Sequence, residues 1–207
     1  MRLKKIVGIL CMMGLVLTSG CSNVESEETA QFSSDSQEEK TGSAETQSAQ
    51  KEVFAMDTYM TVTAYGEQAE AATDAAIEEI ERLDALLSTG DENSEIAQAN
   101  RNGGGRLSED SVYLLEKAAE LYDETEGAFD ITIYPIMEAW GFTTQDYQVP
   151  SEEILQELLV LTDGAQIEFD EETMEISFGM EGMQIDFGGI AKGYCQRSVR
   201  RELMILR

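Results

Sequence analysis

The chain has 207 residues, 42% of them apolar, enough for one domain with appendages. Its formal charge is −27 and it contains no histidine. So acidic a chain excludes nucleic acid as a partner and repels free nucleotides unless a cation accompanies them. Without histidine, proton transfer falls to carboxylates, Lys or Tyr, and a metal would sit among oxygens, which favours Mg2+ or Ca2+ over Zn2+.

The chain opens MRLKKIVGILCMMGLVLTSGCS. Arg2, Lys4 and Lys5 precede an apolar run from Ile6 to Leu17, and Thr18, Ser19 and Gly20 lead to Cys21. This is the pattern of a secretory signal over residues 1–20, too short for a comfortable membrane span. Small residues set against a cysteine resemble a bacterial lipobox, in which Cys21 becomes the lipidated first residue of the mature chain. The expected location is then the extracytoplasmic face of a bacterial cell membrane. An ordinary signal peptide and an uncleaved anchor are the alternatives. Residues 21–51 are rich in Ser, Glu, Gln and Thr and read as a disordered tether. The remaining cysteines, Cys11 and Cys195, make no disulfide framework.

A folded domain is predicted over residues 52–207. Alternation from Tyr59 to Tyr65 predicts a strand that ends at Gly66. Gln68 to Leu87 predicts a helix burying Ile77, Ile80, Leu83 and Leu87. LSTGDENSEIAQANRNGGG reads as a loop with at most one helical turn. Ser108 caps the next helix, which should turn Val112, Leu115, Ala119 and Tyr122 inward and stop at Gly127. Pro135 opens a short helix to Trp140, and Ser151 opens another with Ile154, Leu155, Leu158 and Leu159 as its apolar face. Three strands follow at Gln166–Phe169, Met174–Phe178 and Met183–Phe187. Helices and strands come in blocks, so the fold class is α+β.

Three stretches could carry chemistry. In IDFGGIAKGY, Gly188 and Gly189 let the backbone turn sharply and approach a ligand. The helix that follows offers N–H groups to an anion, and Lys192 lies a turn further on. The construction suits a diphosphate, though it is neither a Walker A loop nor a dinucleotide fingerprint. A plain strand-to-helix turn with an exposed lysine explains the same residues. In GAFDITIYPIMEAWGF, Asp130 sits between Phe129 and Ile131, where a carboxylate needs a partner. It either caps the Pro135 turn and meets a backbone N–H, or serves a ligand. In AMDTYMT, Met56 either packs on a flat ring or is core.

Taken together, MDTYMTVTAYG, LSTGDENSEIAQANR, GAFDITIYPIMEAWGF and IDFGGIAKGY occur in the order and spacing of one family. The chain resembles, from about Val53 to Tyr194, the ApbE family of FAD:protein FMN transferases, once called thiamine-biosynthesis lipoproteins. The resemblance implies a reaction: FAD is split at its diphosphate, AMP leaves, and FMN is joined through a phosphodiester to a threonine of an acceptor protein, such as a membrane redox subunit, with Mg2+ required. It also implies site residues. Met56 falls at a flavin-contacting methionine, Ala128, Phe129 and Asp130 at a flavin-binding triplet, Asp186 and Lys192 at FAD contacts with catalytic roles, and Gly189 at a position whose carbonyl reaches Mg2+.

The sequence departs from the family at two places. Gly90 stands where the family often has an aromatic residue. After Tyr194, CQRSVRRELMILR has Arg197 at about the place of a family Asp, and the large C-terminal portion that supplies further Mg2+ ligands does not follow. A basic helix end that complements the dipole explains the arginines plainly; a frameshift, a premature stop or a gene-model artefact is the expected cause, and impaired activity the expected result. A membrane-anchored FAD-binding protein, an FAD pyrophosphatase and a non-catalytic surface lipoprotein are the rival readings.

Overall fold

The computed structural model describes residues 47–205. The signal run, Cys21 and most of the expected tether lie outside the described residues. The first described element is a hairpin of β1 (Ser48–Ala55) and β2 (Thr58–Tyr65), antiparallel, with Ala55 opposite Thr58. Order therefore begins before the expected Glu52, and Ser48 to Lys51 belong to a strand, not to the tether. Their polar composition hid this. Pairing with β2 satisfies their backbone, and Lys51 reaches Glu70 (3.0 Å) and Asp74 on the first helix. Val53, Met60 and Val62 face that helix, while Phe54, Tyr59 and Tyr65 face outward.

That helix, α1 (Ala69–Leu87), forms where predicted and buries Ile80, Leu83 and Leu87, while Ile77 is half-buried. Next, α2 (Glu95–Asn102) is two turns long rather than one. The Ser94 hydroxyl accepts from Ala97 N (3.0 Å), and Gly103 ends the helix in the left-handed region (φ 69°). A short strand that the sequence did not announce, β3 (Gly104–Arg106), joins β4 (Ile167–Asp170) and β5 (Glu175–Phe178) in a sheet of order β3-β5-β4. Gly104 permits it, because a Cβ there would lie 2.2 Å from the Ile176 carbonyl.

In α3 (Glu109–Glu124), Ser108 caps the start as predicted. The buried face is Ser111, Leu114, Leu115 and Ala118, rotated from the expected one, and Ala119 is exposed. After a 3-10 turn (Ile131–Ile133), α4 (Tyr134–Ala139) begins with Pro135 in its first turn. The helix α5 (Glu152–Leu159) forms where predicted but buries no residue, so its expected apolar face stays partly exposed.

The third predicted strand, Met183–Phe187, is not one. It is an extended, buried run whose backbone pairs with a side chain instead of a neighbouring strand. Asn100 donates from Nδ2 to the Ile185 carbonyl (2.9 Å) and accepts Ile185 N–H at Oδ1 (2.8 Å). Asp186 N–H donates to the Ile131 carbonyl (2.8 Å). The run feeds directly into α6 (Gly188–Ile205).

The α1–α6 contact contains a buried carboxylate, Glu79. It accepts from Arg82 Nε (2.7 Å) and Nη2 (2.8 Å) and from the Ser198 hydroxyl. The Arg82 hydrogen bonds hold its carboxyl below the usual range, outweighing the opposing effect of burial. A lowered folded-state value stabilises above the unfolded value, and the gain is lost as pH falls through the folded one. Glu79→Gln should cost about 1–3 kcal/mol near neutral pH, a hydrogen bond to a charged group being worth about that. Urea unfolding at descending pH should show the gap between parent and variant closing below the usual carboxylate range.

Candidate functional site

The run from Met183 to Phe187 delivers Asp186 and the start of α6 to a cleft of about 460 Å3. Its other walls are the β1–β2 turn (Met56, Asp57), the end of α1 with the loop behind it (Asp84, Ser88, Thr89, Gly90), and the segment after α4 (Phe142, Thr143). The volume falls in the range of small-molecule sites, roughly 300–1,000 Å3. Its polar and apolar surfaces are mixed, with Met56, Met137 and Phe54 beside three carboxylates and one ammonium.

Asp186 is held by the start of α6. Its Oδ1 accepts Gly188 N–H at the first residue of α6. Burial pushes its carboxyl above the ordinary range, opposed by the Gly188 N–H, Lys192 and the Thr89 hydroxyl. The first turn of α6 is less open than expected. Ile190 N–H and Ala191 N–H both donate to the Phe187 carbonyl (2.9 and 2.8 Å), which leaves Gly189 N–H without a partner among the described residues. Lys192 is exposed, and among the described residues the ion pairs are made by Lys51, Arg82 and Lys117, not by Lys192.

Met56, Asp186 and Lys192 thus meet in one cleft, with Gly189 at its border. The expected flavin-binding triplet, Ala128, Phe129 and Asp130, does not enter as a unit. Phe129 packs on Gly189, where a Cβ would lie 2.9 Å from its ring, so the glycine is needed for this contact. Ala128 is exposed. Asp130 caps the 3-10 turn: Oδ1 accepts Thr132 N–H (2.8 Å) and its hydroxyl (2.6 Å), and Oδ2 accepts Gly164 N–H (3.0 Å). It lines a separate, mostly apolar cavity of about 260 Å3 between α3 and β4. Of the two roles open to Asp130 in the sequence, the backbone one describes its contacts here.

Sequence reasoning missed Asp84, Thr89 and Phe142 as cleft residues. Phe142 is half exposed at the rim, its ring near-parallel to Trp140 (17°, centroids 6.4 Å apart) and edge-on to Tyr147 (5.9 Å). A side chain at Gly90 would start 3.6 Å from Thr143, next door. Phe142 therefore offers an aromatic face on the side where Gly90 lacks one. Its place at the end of the GAFDITIYPIMEAWGF run was the available signal.

The ApbE family's sequence profile matches residues 56–205, which include Met56, Asp186, Gly188, Gly189 and Lys192. The chain belongs to the ApbE family. An FAD:protein FMN transferase of Klebsiella pneumoniae is 27% identical over 134 residues, 63% of this chain and 42% of that protein. The crystal structure of the ApbE protein from Thermotoga maritima superposes with a TM-score of 0.70 at 30% identity, covering 75% of this chain and 52% of that one. The flavin transferase ApbE from Vibrio cholerae shares the fold, with a TM-score of 0.69 at 20% identity over 77% of this chain and 54% of its own. The chain thus spans about two-fifths of the length of the curated ApbE relative and about half of the solved structures. The α+β architecture is that of a partial ApbE domain.

Among the described residues, no three acidic or cysteine side chains converge as a metal cage. The donor set of this ApbE cleft does not make a resident divalent-cation site. It suits a Mg2+ that arrives on a diphosphate, since Mg2+ commonly rests on one or two carboxylates and the substrate's phosphates.

Proposed function

We propose that this chain forms the FAD-holding cleft of an FAD:protein FMN transferase. In that reaction a threonine hydroxyl of an acceptor protein attacks the FMN phosphorus of FAD. The bond to the AMP phosphate breaks, AMP leaves, and a phosphodiester to FMN forms. The observation that carries the reading is the convergence of Met56, Asp186, Lys192 and the α6 start on one cleft.

Phosphoryl transfer depends mostly on positioning and charge neutralisation, which needs no histidine. Lys192 neutralises diphosphate charge. Gly189 N–H supports it from the first turn of α6. Asp186, its carboxyl raised by burial, orients the nucleotide and is suited to take the threonine proton. Met56 packs on the flavin ring. The cleft sets Asp57, Asp84 and Asp186 against Lys192, so a diphosphate entering it needs a cation for company. Mg2+ supplies that neutralisation when bound.

Further parts of the reading rest on the sequence. Cys21 carries a lipid, the chain works at the extracytoplasmic membrane face, and its acceptors are membrane redox subunits or secreted flavoproteins.

A second reading is that this chain binds FAD without transfer. The absence of a three-carboxylate cluster among the described residues favours it, because the cleft alone does not hold its cation. One experiment separates the two. The full chain is incubated with FAD, Mg2+ and a threonine-bearing acceptor protein, then run on a denaturing gel. A fluorescent acceptor band that disappears with EDTA supports transfer by this chain. Tight FAD binding with no band supports the binding-only reading, free FMN with no band supports hydrolysis, and no FAD binding at all overturns the flavin cleft. We expect binding, with weak labelling.

A further inference from the structure

The turn that brings Met56 to the cleft is poorly suited to its own sequence. Only Met56 and Asp57 separate β1 from β2, and both have positive φ (50° and 53°). Two-residue hairpin turns of this hand are the province of Asn-Gly and its relatives, because a side chain in the left-handed region crowds the backbone. Methionine is among the residues least at ease there. Something outside the hairpin must hold the turn, and such strain concentrates at functional sites.

The holder is on α1. The Asp84 carboxylate accepts Met56 N–H at Oδ1 (2.8 Å), and the Thr58 hydroxyl donates to the Met56 carbonyl from within the hairpin (3.2 Å). Asp84 is itself badly placed for its helix. It lies in the last turn of α1, where the backbone carbonyls favour a cation, and that turn contains no basic residue. One hydrogen bond thus joins two locally unfavourable choices, and both residues line the cleft that contains Asp186 and Lys192.

We propose that Asp84 is a positioning residue: its carboxylate clamps the Met56–Asp57 turn in the left-handed form and so presents the Met56 side chain to the ligand's planar ring. The ring's identity rests on the flavin reading above; the clamp does not.

The test uses the full chain and measures FAD affinity by flavin fluorescence, together with hydrogen exchange at the Met56 amide. Asp84→Ala removes a negative charge from the cleft, which by electrostatics alone would favour an anionic ligand. We expect the opposite, a loss of about tenfold or more, the weight of one hydrogen bond to a charged group. Asp84→Asn keeps an acceptor oxygen and stays within about threefold of the parent or better. Adding Asp57→Gly to Asp84→Ala removes the left-handed penalty at one position and restores most of the affinity, well beyond Asp57→Ala, which removes the same charge and leaves the penalty. A general loss of stability would not be rescued that way. Parental affinity in Asp84→Ala overturns the proposal, as does failure of Asp57→Gly to rescue. If the parent chain does not bind FAD, the flavin reading falls while the clamp is still judged. Faster Met56 exchange in Asp84→Ala, by about tenfold, upholds the clamp, and unchanged exchange overturns it.

Discussion

Replacing Lys192 with alanine should weaken FAD binding by about ten- to a hundredfold, the span expected for losing one charge-assisted contact to phosphate. The chain carries −27 overall, and Lys192 is the one cation among the described residues that lines the cleft. Among the described residues, Lys51, Arg82 and Lys117 are committed to carboxylates, whereas Lys192 stands exposed at the cleft and makes no ion pair. Its charge is available at low cost in competing partners. Lys192→Arg preserves the charge and should recover much of the affinity, although a planar fork does not reproduce a compact ammonium. The measurement is a flavin-fluorescence titration with Mg2+ at low and moderate salt. The parent should weaken as salt rises, and Lys192→Ala should weaken less steeply, because the screened interaction is gone. Equal affinities and equal salt slopes for parent and Lys192→Ala would remove Lys192 from the site.

The sequence displayed this site unevenly, for physical reasons. Met56, Asp186 and Lys192 were legible because they sit in compact stretches with unusual residue choices, such as paired glycines after an acid. The cleft brings those three together. Asp130 looked equally odd in sequence, yet its carboxylate is occupied by Thr132 and Gly164 N–H groups. A lone acid among apolar residues signals a need for partners and does not say whether a ligand or the backbone supplies them. A strong 3.6-residue period located α1, and the Ser108 cap located the start of α3. The face of α3 was misjudged because Leu114 and Ala118 meet the core while Ala119 faces outward, and α5 buries none of its expected residues. Periodicity records which residues can be buried, and packing decides which are. The β1–β2 turn was illegible for a different reason. Met-Asp is not a turn sequence, and the hydrogen bond that holds it comes from Asp84, on another element.

The same lesson applies to Met183–Phe187, where alternation predicts a strand and the partner is Asn100. Asn100→Leu should destabilise the chain by about 2–5 kcal/mol, because it strands two buried backbone groups at about 1–3 kcal/mol each. The two hydrogen bonds to Ile185 bridge 85 residues of sequence, and Asn100 and Ile185 are both buried, so water cannot replace the lost carboxamide. Leucine keeps the branched shape and the number of heavy atoms, so no cavity opens and the polar loss is what is read. Against a typical total of about 5–15 kcal/mol, the loss is large. Urea unfolding followed by the single tryptophan, Trp140, reads it directly. Asn102→Leu, at an exposed position of the same helix, serves as control and should shift stability by less than about 0.5 kcal/mol. The functional consequence should exceed the thermodynamic one. Ile185 immediately precedes Asp186, whose own N–H is tied to Ile131, so freeing Ile185 loosens the segment that aims Asp186 and starts α6. FAD affinity should therefore fall in Asn100→Leu even under conditions where the variant remains fully folded. A variant that lost stability but bound FAD like the parent would show that the run is scaffold alone and that Asp186 is aimed by its bond to Gly188.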